Sequence, residues 1–254
     1  YKNMASLRDS IAGNDAAGKG YVATQITEVN SLLKQIVALN TSINHQEQDN
    51  FRKQPALDLR DERDKLVKQL AGYVDVSVSE ESTGQYTVEL NLDGGNKVVM
   101  IDGNTVPQPS PNMLQATMVE GPTGFFTPQF AISSDPTTPI ILNSGTGSLR
   151  GMLDARDYLS AQMTELYAFA QTFAAEFNQV QEAGYDLNGN LSGGKFFSSP
   201  VTQPAKGAIL ELDSYIKNNP RLIAASDQPN QQGNGNQAQA MWNKITEEDL
   251  YKNE

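Results

Sequence analysis

The stretch Ile26–Ile43 sits in a run whose apolar positions recur by threes and fours. Val22, Ile26, Val29, Leu33, Ile36 and Ile43 fall on that spacing, with Asn40 as the single polar member. The spacing predicts a helix over about 21–50, with an apolar seam that an amide interrupts. Pro55 is placed to open a second helix, "PALDLRDERDKLVKQLAG", because proline is tolerated in a first turn, and Gly72 offers a stop. Leu59, Leu66 and Leu70 mark its stripe, with Arg63 interrupting it.

The period then changes to two. Val74, Val76 and Val78 alternate with polar residues, as do Tyr86, Val88, Leu90 and Leu92. Turn chemistry in "EESTGQ" and "LDGGNK" separates these runs from "VVMI". Prolines at 107, 109, 111, 122, 128, 136 and 139 punctuate the apolar runs that follow. Proline removes a ladder donor, so short, edge-like or bulged strands in a small antiparallel sheet or partial barrel are expected over 74–145.

Helical spacing returns at Leu149 and continues through Met152, Arg156, Leu159, Met163, Leu166, Ala170, Phe173, Phe177 and Val180. A helix over that range spans about 45 Å at 1.5 Å per residue. Thr146 or Ser148 is placed to cap its start, and Gly184 to end it. A bare seam is unstable, so the two long seams are expected to pack on each other. Asn40 would then meet a polar partner across the seam and penalise shifted registers. From Tyr185 the sequence is mixed: turns in "YDLNGNLSGGKFF", a strand in "AILELD", a polar loop, and a final helix from about Ala238 running to Glu254. The pattern as a whole predicts an α+β fold: an elongated helical bundle of long antiparallel helices with a small antiparallel β domain inserted. Its helical domain takes in 1–73 and 146–254, with some β and loop structure around 185–235, and the insert takes in 74–145.

Composition narrows the function. The chain has 254 residues, enough for a sizeable core, and carries 19 basic against 30 acidic side chains, a net charge of −11. Binding a polyanion by counterion release needs clustered Lys and Arg, so neither nucleic acid nor an anionic membrane surface is an expected partner. No apolar run approaches the roughly 20 residues that cross a bilayer. There is no cysteine, hence no disulfide, thiolate metal site or cysteine nucleophile. No leader pattern is seen, and Tyr1 stands in helical sequence, as expected of an excised fragment.

No constellation points to catalysis. The single histidine, His45, is followed by Gln46 where a zinc-hydrolase helix has Glu, and it has no second imidazole four residues on. "DLNGNLSGG" places Asp186, Asn188 and Asn190 at the first three oxygen positions of a calcium loop. Leu191 stands where that loop needs glycine, and its closing glutamate is missing, so a tight turn is expected. "DLRDERDK" clusters carboxylates, but Arg60–Asp64, Asp61–Lys65 and Asp64–Lys68 are spaced as pairs on a solvated helix face. Glycine-rich "LDGGNK" lacks the full phosphate-loop signature and reads as a hairpin. The expected assignment is therefore no enzyme, with no catalytic, cofactor-binding or metal residue and no cofactor.

The segments "VNSLLKQIVALNTSI", "LDLRDERDKLVKQLAGYVDVSV", "GTGSLRGMLDARD", "FAAEFNQVQEAGYDLNGN" with "KFF", "LIAASD" and "GNGNQAQAM" occur in this order over nearly the whole chain. Together they resemble the flagellar hook-associated protein 1 family, the hook–filament junction proteins of bacteria. The resemblance implies a structural subunit that bridges hook and filament, an extracellular part of the flagellum exported unfolded by a type III apparatus. It implies a central fragment lacking the terminal helices, with a helical middle domain and an outer β domain. Its partners would be other copies in the junction ring, hook protein, and the second junction protein on the filament side. An export chaperone would bind the full-length protein, and the fragment itself would be monomeric. Alternatives are a flagellin or another flagellar junction protein. From a different class comes a surface adhesin or enzyme carried by the β domain.

Overall fold

The computed structural model describes residues 1–13, 20–48, 55–121, 124–142, 145–204, 206–231 and 233–246. The helices are α1 (Lys2–Ala12), α2 (Tyr21–Gln48), α3 (Leu57–Tyr73), α4 (Ser148–Ala183), α5 (Ser214–Asn218) and α6 (Asn236–Thr246). The strands are β1 (Val76–Glu80), β2 (Tyr86–Asn91), β3 (Lys97–Ile101), β4 (Leu114–Glu120), β5 (Phe126–Ile132), β6 (Asp135–Ile140), β7 (Phe197–Ser198) and β8 (Glu211–Leu212). Helices and antiparallel sheets thus coexist in an α+β fold. The chain forms two compact units, 6–158 and 1–5 with 159–254. The continuation of the last helix to Glu254 lies outside the described residues.

In unit 6–158 every seam position of α2, Asn40 included, is buried. The cover is not the one expected from the sequence. The main neighbours of α2 are α3, β4 and β3 rather than α4. A seam needs only an apolar surface of matching shape, and here a second helix and two sheets provide it. α3 begins at Leu57, with Pro55 outside it, and runs through Gly72 to Tyr73. Its inward stripe includes Leu66, Leu70 and a fully buried Arg63.

The β region folds as two separate three-stranded meanders, β1-β2-β3 and β4-β5-β6, in place of a partial barrel. Val88 and Leu90 point to the core, as their alternation predicts. β3 departs from strict alternation: Met100 and Ile101 are both buried. A register shift opposite Val88/Glu89 adds a residue to β3 and turns both side chains inward. Pro136 and Pro139 fall on β6, an edge strand, where a missing ladder donor costs little.

Unit 1–5 with 159–254 is built on the second half of α4. Phe177, Ala224 and Met241 form its buried centre, flanked by Phe173, Val180, Phe196 and Phe197. Four of the phenylalanines meet ring to ring, with Phe177 edge-on to Phe196 at 4.9 Å and to Phe197 at 5.1 Å. α4 ends before Gly184, where an added Cβ would lie 2.3 Å from Gln237, so the close approach of α6 requires glycine there. At the other end of α4, the Ser148 hydroxyl donates to Gln25 Oε1 at 3.1 Å, a contact other than the cap expected of it.

Candidate functional site

The most elaborate polar constellation among the described residues joins α2, α3 and the start of β2. Asn40 is fully buried and hydrogen-bonds both main-chain groups of one residue, Tyr86. Its Nδ2 donates to Tyr86 O at 3.0 Å, and its Oδ1 accepts from Tyr86 N at 3.1 Å. Arg63 Nη1 gives Oδ1 its second bond, at 2.9 Å, and also donates to Gly84 O at 2.8 Å. The guanidinium lies 3.4 Å over the Tyr86 ring, so the aromatic face offsets part of the cost of burying a cation. Burial pulls Arg63 below the usual arginine range. It also pushes the Tyr86 phenol up, helped by its hydrogen bond to Asp64 Oδ1 at 2.7 Å.

The same arrangement recurs. Asn30 Nδ2 donates to Leu114 O and its Oδ1 accepts from Leu114 N, both at 2.8 Å, which fastens α2 to β4. In the other unit Asn178 Nδ2 donates to Phe197 O at 2.8 Å, while Oδ1 accepts from Phe196 N and Phe197 N. A side-chain amide has one donor face and one acceptor face. It can therefore take the place of a neighbouring strand where the ladder stops. Alternation in an antiparallel pair turns the N–H and C=O of Tyr86 and Leu114 away from their ladder partners, towards these helical asparagines.

A charged clasp closes the open end of this joint. Arg60 grips Glu47 through Nε and Nη2, both at 2.7 Å, and reaches Glu80 Oε1 with Nη1 at 2.6 Å. Glu47 Oε1 also accepts from Ala56 N at 2.9 Å, the backbone group at the entry to α3. The Arg60 hydrogen bonds hold the Glu47 carboxyl well below its ordinary value, at about 2. The expected pairs Arg60–Asp64 and Asp64–Lys68 are thus replaced: Arg60 turns to α2 and β1, and Asp64 to Tyr86. The Glu47 carboxylate meets Arg60 in bidentate geometry, which an i,i+4 neighbour does not match.

His45 is exposed on α2. Asp186 is buried, but its carboxylate is spent on its own turn, accepting from Asn188 N at 2.8 Å and Asn190 N at 3.0 Å. It lines a polar cavity of about 160 Å³ with Ser226, Asn230 and Asn234. No group of three or more His, Cys, Asp or Glu among the described residues is placed to hold a metal ion. The glycines of "LDGGNK" make a short 3-10 turn between β2 and β3, with Gly94 and Gly95 at φ of +72° and +78°. No described helix is long and apolar enough to cross a membrane.

The geometry is that of a braced scaffold, and comparison with known proteins gives it a family. Residues 1–197 match the family described as "Flagellar hook-associated protein FlgK helical domain". The chain belongs to this family of flagellar hook-associated proteins. It is 26% identical over 249 residues to flagellar hook-associated protein 1 of Bacillus subtilis, covering 87% of this chain and 46% of that protein. It is 32% identical over 183 residues to the Salmonella typhimurium protein of the same name, covering 71% and 31%. The chain thus spans less than half the length of these FlgK relatives. The flagellar hook junction protein FlgK of Burkholderia pseudomallei has a similar fold, with a TM-score of 0.58 and 25% identity over 78% of this chain and 33% of that one.

Within this FlgK-family chain, sequence reasoning singled out Asn40 and Arg63 as interruptions of apolar stripes but missed their partner. Tyr86 read only as one member of an alternating strand, and Asn30 and Asn178 were not singled out. The available signal was an amide or cation on an otherwise apolar face, which requires a buried partner from another element.

Proposed function

We propose that the chain is the braced central part of a structural subunit that joins the flagellar hook to the filament. The observation that carries this reading is the family match over 1–197, supported by the fold shared with a hook junction protein. Bidentate amides and the Glu47–Arg60–Glu80 clasp tie helices to sheets at several points. That construction suits a part that bears load between two polymers better than one that must open around a substrate. On this reading the subunit contacts copies of itself, hook protein and the second junction protein, and sits outside the cell on the flagellum after export by the type III apparatus. An export chaperone serves the full-length protein. The helical middle domain of 1–73 with 146–254, the outer region of 74–145 and the absence of catalysis belong to the same proposal. Deleting the parent gene and imaging the cells tests it. The expected result is hooks without filaments, with filament protein shed into the medium. Loss of the filament subunit itself would assign the chain to the flagellins, and intact filaments would overturn the junction role.

A further inference from the structure

Asparagine followed by glycine occurs twice in the chain, at Asn188–Gly189 and Asn234–Gly235. Such a pair is chemically unstable, because the glycine nitrogen, shielded by no side chain of its own, can reach the asparagine amide carbon and close a five-membered ring. In a fold the outcome depends on whether the glycine N–H is free and whether the amide carbonyl is polarised. The two pairs lie in the same compact unit and differ in both respects. At Asn188 the nucleophile is taken: Gly189 N donates to Asp186 O at 3.0 Å. The Asn188 side chain is engaged through Nδ2, which donates to Asp186 Oδ2 at 3.3 Å. The turn itself demands Gly189, whose φ is +78° and where a Cβ would run into Asn230 Oδ1.

At Asn234 the arrangement is reversed. No acceptor among the described residues meets Gly235 N–H, while Asn234 Oδ1 accepts from Asn236 N at 3.0 Å. That donor polarises the carbonyl and faces the oxygen on which negative charge collects during attack. The fold does not require glycine at 235: its φ is outside the left-handed region, and an added Cβ would meet nothing within 4 Å. It stands just ahead of α6, where serine or threonine would cap the helix as well.

We propose that Asn234 is a self-modifying site, converted by intramolecular deamidation into aspartate and isoaspartate, and that this loosens the start of α6. The Gly235 nitrogen loses its proton to solvent and bonds to Asn234 Cγ. The Cγ–Nδ2 bond breaks, and ammonia leaves with a proton taken from water. Water then opens the cyclic imide at either carbonyl, so neither an oxidant nor an enzyme is required. Asn234 Nδ2 donates to Asp227 Oδ1 at 2.7 Å and to Gln231 Oε1 at 3.2 Å, and both bonds end when the nitrogen is lost. Hydrogen bonds from Asn236 and Asn234 hold the Asp227 carboxyl below its ordinary value, so after the change an ionised Asp227 faces a second carboxylate. Isoaspartate also adds a backbone carbon just ahead of α6. The first turn of that helix is anchored by Gln237 N and Ala238 N on Ala225 O, at 3.1 and 3.2 Å, and its Met241 belongs to the buried centre. The proposal rests on this loop and stands apart from the junction role.

The test is to age the 254-residue chain at mildly alkaline pH and map its peptides by mass spectrometry, with isoaspartate read by an isoaspartyl methyltransferase. Asn234 should react at least about tenfold faster than Asn188, although Asn188 is exposed and Asn234 half-buried, so that exposure alone would give the opposite order. Gly235→Thr keeps a capping residue type and shields the nitrogen with a branched Cβ. It should slow the reaction by at least about tenfold with an unchanged melting temperature. In the aged protein, amide exchange at Gln237 and Ala238 should quicken by at least about threefold, with Phe196 and Phe197 unchanged. Four results would overturn the assignment: Asn188 reacting as fast as Asn234, Gly235→Thr reacting at the parent rate, unaltered exchange at α6 once Asn234 is converted, or Asn234 intact after a free peptide of the same sequence has fully reacted, as when the bond to Asp227 immobilises the amide.

Discussion

The joint at Asn40 and the joint at Asn178 use one device in two settings. Each amide hydrogen-bonds the main chain of a strand, Tyr86 in one unit and Phe196–Phe197 in the other. Around Asn40 the neighbours are polar and deeply buried: a guanidinium with no exposed surface shares its Oδ1. Around Asn178 they are phenylalanine rings, and the two-residue strand it fastens is only half-buried. Where the surroundings are dry and charged, losing the amide strands several groups at once. Where apolar rings carry the packing and water is near, the amide chiefly sets alignment.

The sharpest way to break this comparison is Asn40→Ile. Reading Asn40 as a register device in an apolar seam suggests that isoleucine would stabilise. The structure reverses that expectation, because Tyr86 N–H, Tyr86 C=O and the Arg63 donor would all lose a partner. A loss of about 3–5 kcal/mol is expected, read as faster hydrogen exchange in α2, α3 and β2. An unchanged or raised stability would show that the joint contributes nothing net.

Asn178→Ala should cost less, about 1–2 kcal/mol, with exchange accelerated at Phe196 and Phe197 while the aromatic cluster persists. A loss equal to that of Asn40→Ile would mean that the surroundings do not matter.

Acid tests the clasp. Because the folded Glu47 carboxyl titrates at about 2, below its ordinary value, its contribution is complete above the unfolded pKa near 4.3. It is lost as pH falls from there through about 2. With Glu47 partly exposed, about 1–2 kcal/mol is expected. Denaturant midpoints of Glu47→Gln and the parent, measured from pH 7 down to 2, should differ most at neutral pH and converge in acid. Parallel curves would remove Glu47 from the account. The smallest effect belongs to the turn at Asp186. Its carboxylate already serves backbone donors, so EDTA should leave the melting temperature unchanged, and a fall of several degrees would make the turn an ion site.

The periodicity of the sequence by itself determined the helices α2, α3 and α4, the strands β1 and β2 and the buried stripe of α2, because burial on one side of a helix or sheet forces a period on the chain. It also marked Asn40 and Arg63 as anomalies. Only the tertiary structure decided what they serve. A seam records that it is covered but not by what, so the cover of α2 by α3 and the sheets could not be read from its spacing. A polar residue in a stripe records a need for a partner, yet the partner here is the main chain of Tyr86, and main-chain groups are the same at every residue. Arg60 likewise had carboxylates within reach on its own helix and bonded to Glu47 and Glu80 instead. Local spacing offers an exposed i,i+4 pair worth a few tenths of a kcal/mol, and the fold supplies a partly buried bidentate one that outcompetes it.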